Sequence, residues 1–359
     1  MSIQWDMIML SWIYWDPNPE IFILPFVNWP ILWYGVLFSA GFAIGFPLFV
    51  GVLTRFFLNR PGYHPSDILT RREPNHEAFA EELNEKIYRG EFDGKPVDED
   101  QELVTESGCL HPERALARLA WDKKLGKSVL GLKRKAVSLT DRLTIYMVVA
   151  TVVGARLGHF IFYERPSDYL SDPMELFRVW EGGLASHGAV IAIILAMFLF
   201  SFRIRRTTEG LDWLRLLDFV VVPTALAACF IRLGNFFNQE ILGTPSNLPW
   251  AVVFGHPADH SIPIARHPVQ IYESLFYLAV FFLLWRLTYR PQFLLAKGKL
   301  VGLFLILVFG FRFFVEYLKT EQSNIVSLAS EFTMGQYLSL PAIAAGLIFY
   351  CWSWRKGAE

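Results

Sequence analysis

Ionisable residues sit in this sequence where apolar runs should have none. Arg156 and His159 fall inside one such run. His187 opens another, within Gly182-Gly183-Leu184-Ala185-Ser186-His187-Gly188. A third ends in Ile231-Arg232-Leu233-Gly234-Asn235-Phe236-Phe237-Asn238-Gln239-Glu240 and continues to Gly243. A fourth begins after Arg266-His267-Pro268, with Gln270, Tyr272 and Glu273 close behind, and a fifth holds Arg312 and Glu316. Such groups are costly in hydrocarbon and by default mark a site. The chemistry they could perform is anion binding, because a guanidinium presents a planar fork of donors that matches phosphate. A histidine beside such a site, here His187, is a candidate general base. The structural alternative is that these groups only bridge helices. Arg312 and Glu316 are spaced to pair on one helix face, but five runs carrying such groups favour a shared cavity.

The elements that must position these residues are membrane helices. The chain has 359 residues, of which 53% are hydrophobic, with 32 Phe and 12 Trp. A spanning helix needs roughly 20 mostly apolar residues, and the runs predict spans at about 31–55, 143–163, 183–203, 217–237, 270–289, 299–318 and 335–354. Basic residues concentrate in alternate loops: Arg71, Arg72, Lys123, Lys124, Lys133, Arg134 and Lys135; then Arg203, Arg205 and Arg206; then Arg286, Arg290, Lys297 and Lys299; then Arg355 and Lys356. Basic loops stay cytoplasmic, which predicts an outside N-terminus and a cytoplasmic C-terminus. His187, Arg232, Asn235, Asn238, Glu240, His267, Gln270 and Glu273 then fall toward the outer ends of their helices. Arg312 and Glu316 lie in the outer half of theirs. A lipid head group is the obvious phosphate at that depth.

Other signals are weaker. Residues 1–29 are aromatic and interrupted by proline, and Asp6 breaks the first apolar stretch; a segment lying along the membrane surface is expected there, not a signal peptide. The chain divides into an N-terminal segment with the first helix (1–57), a charged cytoplasmic insertion (58–141) with helical periodicity over 75–90 and 111–137, and a six-helix region (142–359). Cys109, Cys229 and Cys351 are too scattered for a disulfide framework or a zinc site. His256 and His260 are spaced i,i+4, but Pro257 between them argues against a metal helix, and no metal is assigned. A formal net charge of −1 provides no basic footprint for nucleic acid.

The run from Arg232 to Gly243 resembles the Gly-Arg-x-Gly-Asn-Phe-x-Asn-x-Glu-x-x-Gly signature of the prolipoprotein diacylglyceryl transferase family, departing only where Ile231 replaces the first glycine. Trp33-Tyr34-Gly35 is similar to the family's Trp-Tyr-Gly. Ser186-His187-Gly188 is similar to its His-Gly-Gly motif, with Ala189 in place of the second glycine. Arg266-His267-Pro268 with Gln270, Tyr272 and Glu273, then Phe311-Arg312 with Val315-Glu316, and Met334-Gly335-Gln336 continue the match in order. Val308 stands where the family commonly has tyrosine. The likeness covers about 20–57 and 142–357, and leaves out most of the insertion, which is long for the family.

The resemblance implies an all-α integral membrane fold of about seven helices in the bacterial cytoplasmic (inner) membrane, with its active site toward the periplasm. It implies transfer of the diacylglyceryl group of phosphatidylglycerol to the lipobox cysteine of a prolipoprotein signal peptide, with glycerol phosphate leaving and no cofactor. His187, Tyr34, Arg232 and Arg312 would be catalytic. Asn235, Asn238, Glu240, Gly243, Glu316, Gly188 and Gln270 would bind substrate. Competing readings are a transporter, which predicts two related halves that the sequence does not show, a structural membrane subunit using polar residues as glue, and an inactive relative.

Overall fold

The computed structural model describes residues 12–26, 28–59, 112–163, 174, 178, 183, 185–205, 208, 210–320 and 332–356. The expected helix over 75–90, Cys109 and Gly182 lie outside them. The long helices are α1 (Trp33–Asn59), α2 (Pro112–Tyr163), α3 (Ser186–Ile204), α4 (Trp213–Phe237), α5 (Val269–Leu287), α7 (Lys299–Val315) and α8 (Met334–Lys356), with a short α6 (Pro291–Leu294) before α7. Seven stretches on them are long and apolar enough to cross a membrane: Trp33–Phe57, Lys133–Tyr163, His187–Ile204, Trp213–Phe237, Val269–Leu287, Lys299–Leu318 and Met334–Trp354. The predicted spans match them closely, except that the second belongs to a much longer helix. The chain forms two compact units, one of residues 1–49 with 143–359 and one of residues 50–142.

The larger unit turns apolar side chains outward. Along α3, Val190, Ile191, Ile194, Leu195, Phe198, Leu199 and Phe202 are all exposed, as are Ile145, Val148, Val149, Val152 and Val153 on α2. In water such a surface would be untenable; in lipid it is the expected one, since helices satisfy their own backbone groups and leave apolar side chains to the acyl chains. Association between such helices relies on close packing, which small residues permit. A Cβ added at Gly158 of α2 would lie 2.6 Å from the Gly188 Cα of α3, and one at Gly302 of α7 would lie 2.8 Å from the Gly346 oxygen of α8. Both are distances real Cβ atoms do not adopt. Gly158→Ala is therefore expected to destabilise the α2–α3 contact by about 1–3 kcal/mol, the usual cost of overpacking. A melting curve of the purified protein in detergent checks this, and an unshifted curve would mean the helices separate freely.

The helices are joined at one end by small β elements that were not expected. Strand β1 (Ile13–Trp15) pairs in parallel with β4 (Val252–Phe254), which pairs antiparallel with β5 (Ala265–Arg266); β2 (Glu20–Leu24) and β3 (Trp29–Leu32) form a hairpin that runs straight into α1. Phe236, Leu242, Val252 and Phe254 form a core beneath β4, with Trp15 and Ile271 packed on it. The Trp15 indole donates to the Phe236 carbonyl at 3.1 Å, and its ring lies 4.5 Å from that of Phe236.

Asp16 fastens this edge. Its Oδ1 is 2.6 Å from His256 Nδ1 and accepts from Gln239 Nε2 at 3.0 Å. These two bonds, that from His256 foremost, hold its carboxyl below the ordinary 3.8. A depressed carboxylate stabilises the fold above its unfolded value and loses that contribution as pH falls through its folded value. The carboxylate's share of the fastening should thus be lost in acid solution, as pH falls below the ordinary carboxylate range. Amide exchange at Val252–Phe254 checks it: Asp16→Asn should speed exchange at pH 7, and equal rates would dismiss the contact. His256 and His260 do not share a helix, and among the described residues no group of three metal-ligating side chains forms.

Candidate functional site

The last two turns of α4 carry Arg232 and Asn235, and the chain leaves the helix through Asn238, whose N–H bonds the Gly234 carbonyl. Gln239 and Ile241 then adopt φ of 51° and 56°. This tight exit folds Glu240 back under the helix, where its N–H reaches the Asn235 carbonyl at 3.0 Å. The side chains follow the same fold-back. Asn235 donates to Glu240 Oε1 at 2.7 Å and Asn238 to the same oxygen at 3.4 Å, while Arg232 Nη1 donates to Asn235 Oδ1 at 3.1 Å. From α5, Gln270 Nε2 donates to the Glu240 carbonyl at 2.7 Å. Arg232, Asn235, Asn238, Glu240 and Gln270 are thus one connected group.

Glu273, one turn further along α5, links this group to α7. Its side chain is 0% exposed. Oε2 lies 3.1 Å from Arg232 Nε, within ion-pair reach though off hydrogen-bond alignment. Oε1 takes Lys319 Nζ at 3.0 Å and the Tyr277 hydroxyl at 3.2 Å. Lys319 is also 3.3 Å from Glu316 Oε2. The Arg312–Glu316 pair that the i,i+4 spacing allowed does not form. The α-helix ends at Val315 and Glu316–Leu318 tighten into a 3-10 turn, so Glu316 meets Lys319 three residues on rather than Arg312 four residues back. Arg312 is left without an ion pair or hydrogen bond among the described residues, and its Nε is buried. Gln270 Oε1 is a second buried polar atom without a partner. Unsatisfied buried groups are rare in folded proteins, and a ligand or water is the usual explanation.

Tyr34 enters from the first turn of α1. Its ring lies against Gly234, where an added Cβ would sit 2.7 Å from Tyr34 Cδ2, so only glycine admits the tyrosine there. Gly243 has a similar role: a Cβ would collide with the His267 carbonyl, and Arg266 Nη1 donates to the Gly243 carbonyl at 3.2 Å. The stretch around it laces to the end of α7, with Thr244 N–H to the Leu318 carbonyl at 2.8 Å and Thr320 N–H to that of Leu242 at 3.0 Å.

His187 stands apart. It is exposed at the start of α3, 6.4 Å from the Phe162 ring between centroids, and no hydrogen bond or ion pair among the described residues ties it to the Arg232–Glu273–Lys319 network. Gly188 faces Gly154 and Gly158 of α2. Arg156, also on α2, donates to the Gly183 carbonyl at 3.2 Å. Glu273 stood in the sequence as one polar residue among several, and its place at the centre of three helices was not anticipated. Lys319 and Tyr277 were missed altogether. The spacing of Glu316 and Lys319 was the available signal for one of them.

Seven membrane-length helices around a buried cluster of arginine, lysine and carboxylates define a multi-pass membrane protein with an ion-paired polar cluster at one end. Residues 115–352 match the family model for prolipoprotein diacylglyceryl transferase. The chain belongs to the prolipoprotein diacylglyceryl transferase family. It is 38% identical over 362 residues to a phosphatidylglycerol–prolipoprotein diacylglyceryl transferase of Protochlamydia amoebophila, covering 97% of this chain and 96% of that one. It is 44% identical over 224 residues to the protein of that name from Tolumonas auensis, covering 61% of this chain and 81% of the relative. The corresponding protein of Porphyromonas gingivalis is 43% identical over 216 residues, covering 58% and 75%. The first alignment necessarily takes in most of the 58–141 stretch, so that insertion has a counterpart in at least one relative.

Proposed function

We propose that this chain transfers the diacylglyceryl group of phosphatidylglycerol to the thiol of a lipobox cysteine in a prolipoprotein signal peptide, the first step of lipoprotein maturation. It does so in a bacterial inner membrane, with the Arg232 end of the bundle toward the periplasm. Support from the molecule rests above all on Arg312. A buried guanidinium nitrogen without a partner, in a chain that also brings Arg232 and Lys319 to one buried carboxylate, is a receptive place for a phosphate. The names of the relatives supply the substrates.

In the reaction, sulfur attacks a glycerol carbon, a carbon–sulfur bond forms, the carbon–oxygen bond to phosphate breaks, and glycerol phosphate leaves with the electron pair. A free cysteine titrates near ~8.5 and the thiolate is its reactive form, so a base must take the proton. His187, exposed and uncommitted at its helix start, is assigned that role, and Tyr34, on the Gly234 face, orients the lipid beside it. Arg232 and Arg312 hold the phosphate and neutralise the charge that grows on it as it departs. Glu240, through Asn235, fixes the Arg232 fork, Asn238 steadies the same Glu240 oxygen, and Glu316 sets Lys319 beside Glu273. Gln270 offers its free oxygen to a glycerol hydroxyl. Gly188 and Gly243 keep their backbones close enough for the site to assemble.

The test is a purified assay with phosphatidylglycerol vesicles and a lipobox peptide, read by mass spectrometry. A diacylglyceryl mass gain on the peptide cysteine is expected, abolished in His187→Ala and Arg232→Ala. A peptide left unmodified by well-folded protein would refute the assignment.

A further inference from the structure

The opposite end of the bundle carries a cationic hollow that the transfer reaction does not use. It encloses about 880 Å³ where α4 begins, α6 and α7 begin and α8 ends. Arg215 and Arg232 lie at the two ends of α4, roughly 25 Å apart at 1.5 Å per residue, so the two sites are separated by most of a bilayer. Arg215, Lys297 and Lys299 line the hollow, and its lining includes no acidic side chain among the described residues.

These cations are built in by the fold. Arg215 is 7% exposed and donates to the Leu295 carbonyl at 2.9 Å, so its guanidinium is fixed at the end of α6. Lys297 pairs with Asp212, the residue that caps α4. Lys299 has no carboxylate within ion-pair reach among the described residues. Its ammonium donates to the Gln292 carbonyl at 3.5 Å and sits 4.4 Å from the Phe293 ring and 5.8 Å from that of Trp354. Ser353, 4% exposed, also lines the hollow, and its buried hydroxyl oxygen has no hydrogen-bond partner. A lysine with no carboxylate partner among the described residues and an orphaned hydroxyl on the same wall call for an anion with acceptor oxygens. Tryptophans at helix ends mark the head-group level of a bilayer, and basic pockets between helices at that level receive anionic lipid head groups.

We propose that this hollow binds the phosphate of an anionic phospholipid, distinct from the substrate lipid at the Arg232 end. The full-length protein in detergent, titrated with dioleoyl phosphatidic acid and followed by native mass spectrometry, tests it. Arg312→Gln should retain this lipid, Lys297→Gln/Lys299→Gln should weaken it at least tenfold, and Lys299→Arg should preserve it, since the charge stays over the rings. Dioleoyl phosphatidylcholine should bind more weakly than phosphatidic acid by a similar factor. Displacement by inorganic phosphate at matched concentration would keep the phosphate site but assign it to a soluble anion. Undiminished phosphatidic acid binding in the double glutamine variant, with Lys299→Arg folded and monodisperse, would overturn the proposal, as would equal affinity for phosphatidylcholine.

Discussion

Replacing Glu273 with glutamine should cost about 3–5 kcal/mol of stability, the expected consequence of removing one partner from a buried ion pair. The size follows from what the carboxylate touches. It is wholly buried, and it is within ion-pair distance of both Arg232 and Lys319. A neutral amide there leaves two cations facing each other in a region water does not reach freely. Adding Lys319→Met, which removes one of those cations and keeps an apolar stem, should recover part of the loss. Unfolding of the purified protein in mild detergent is the measurement. A Glu273→Gln variant that unfolds like the parent would show that lipid or water already screens the cluster.

Arg312→Lys should leave stability almost unchanged and lower kcat/KM by about 100-fold or more, the range seen when one preorganised donor to developing charge is lost. The contrast with Glu273 comes from the side chains' own contacts. Arg312 forms no ion pair among the described residues, so shortening its fork to a point charge breaks nothing in the unliganded protein. The loss falls on the lipid phosphate, which a planar guanidinium can hold by two parallel bonds and an ammonium cannot. Vesicle assays with phosphatidylglycerol at several concentrations separate the two parameters. A lysine variant turning over at the parental rate would remove Arg312 from phosphate binding.

The spans were legible because roughly 20 apolar residues in a row have few other uses, and Arg232 to Gly243 was legible because its polar residues interrupt such a run. What escaped the sequence depends on how helices are rotated and how they end. Glu273 could face any neighbour from its position on α5, and only the packing of α4, α5 and α7 brings it to Arg232 and Lys319. Arg312 and Glu316 satisfy the i,i+4 rule on paper, but the rule presumes an unbroken α-helix, and the change to a 3-10 turn after Val315 redirects the glutamate. Strands β1 and β5, of three and two residues, are too short to show alternation. The upward extension of the second span was hidden by Lys133, Arg134, Lys135 and Asp141, which lower its hydropathy without breaking its helix.

The Arg232–Glu273–Lys319 cluster also constrains how the protein can be made. Its members are dispersed along the chain, and ribosomes deliver them in order at roughly 5–20 residues per second. Arg232 therefore emerges about forty residues ahead of Glu273 and spends seconds at the insertion machinery with its charge uncompensated, before Lys319 completes the set. Nascent α4 must wait near a wet or protein-lined exit, not in open lipid, until its partner helix arrives.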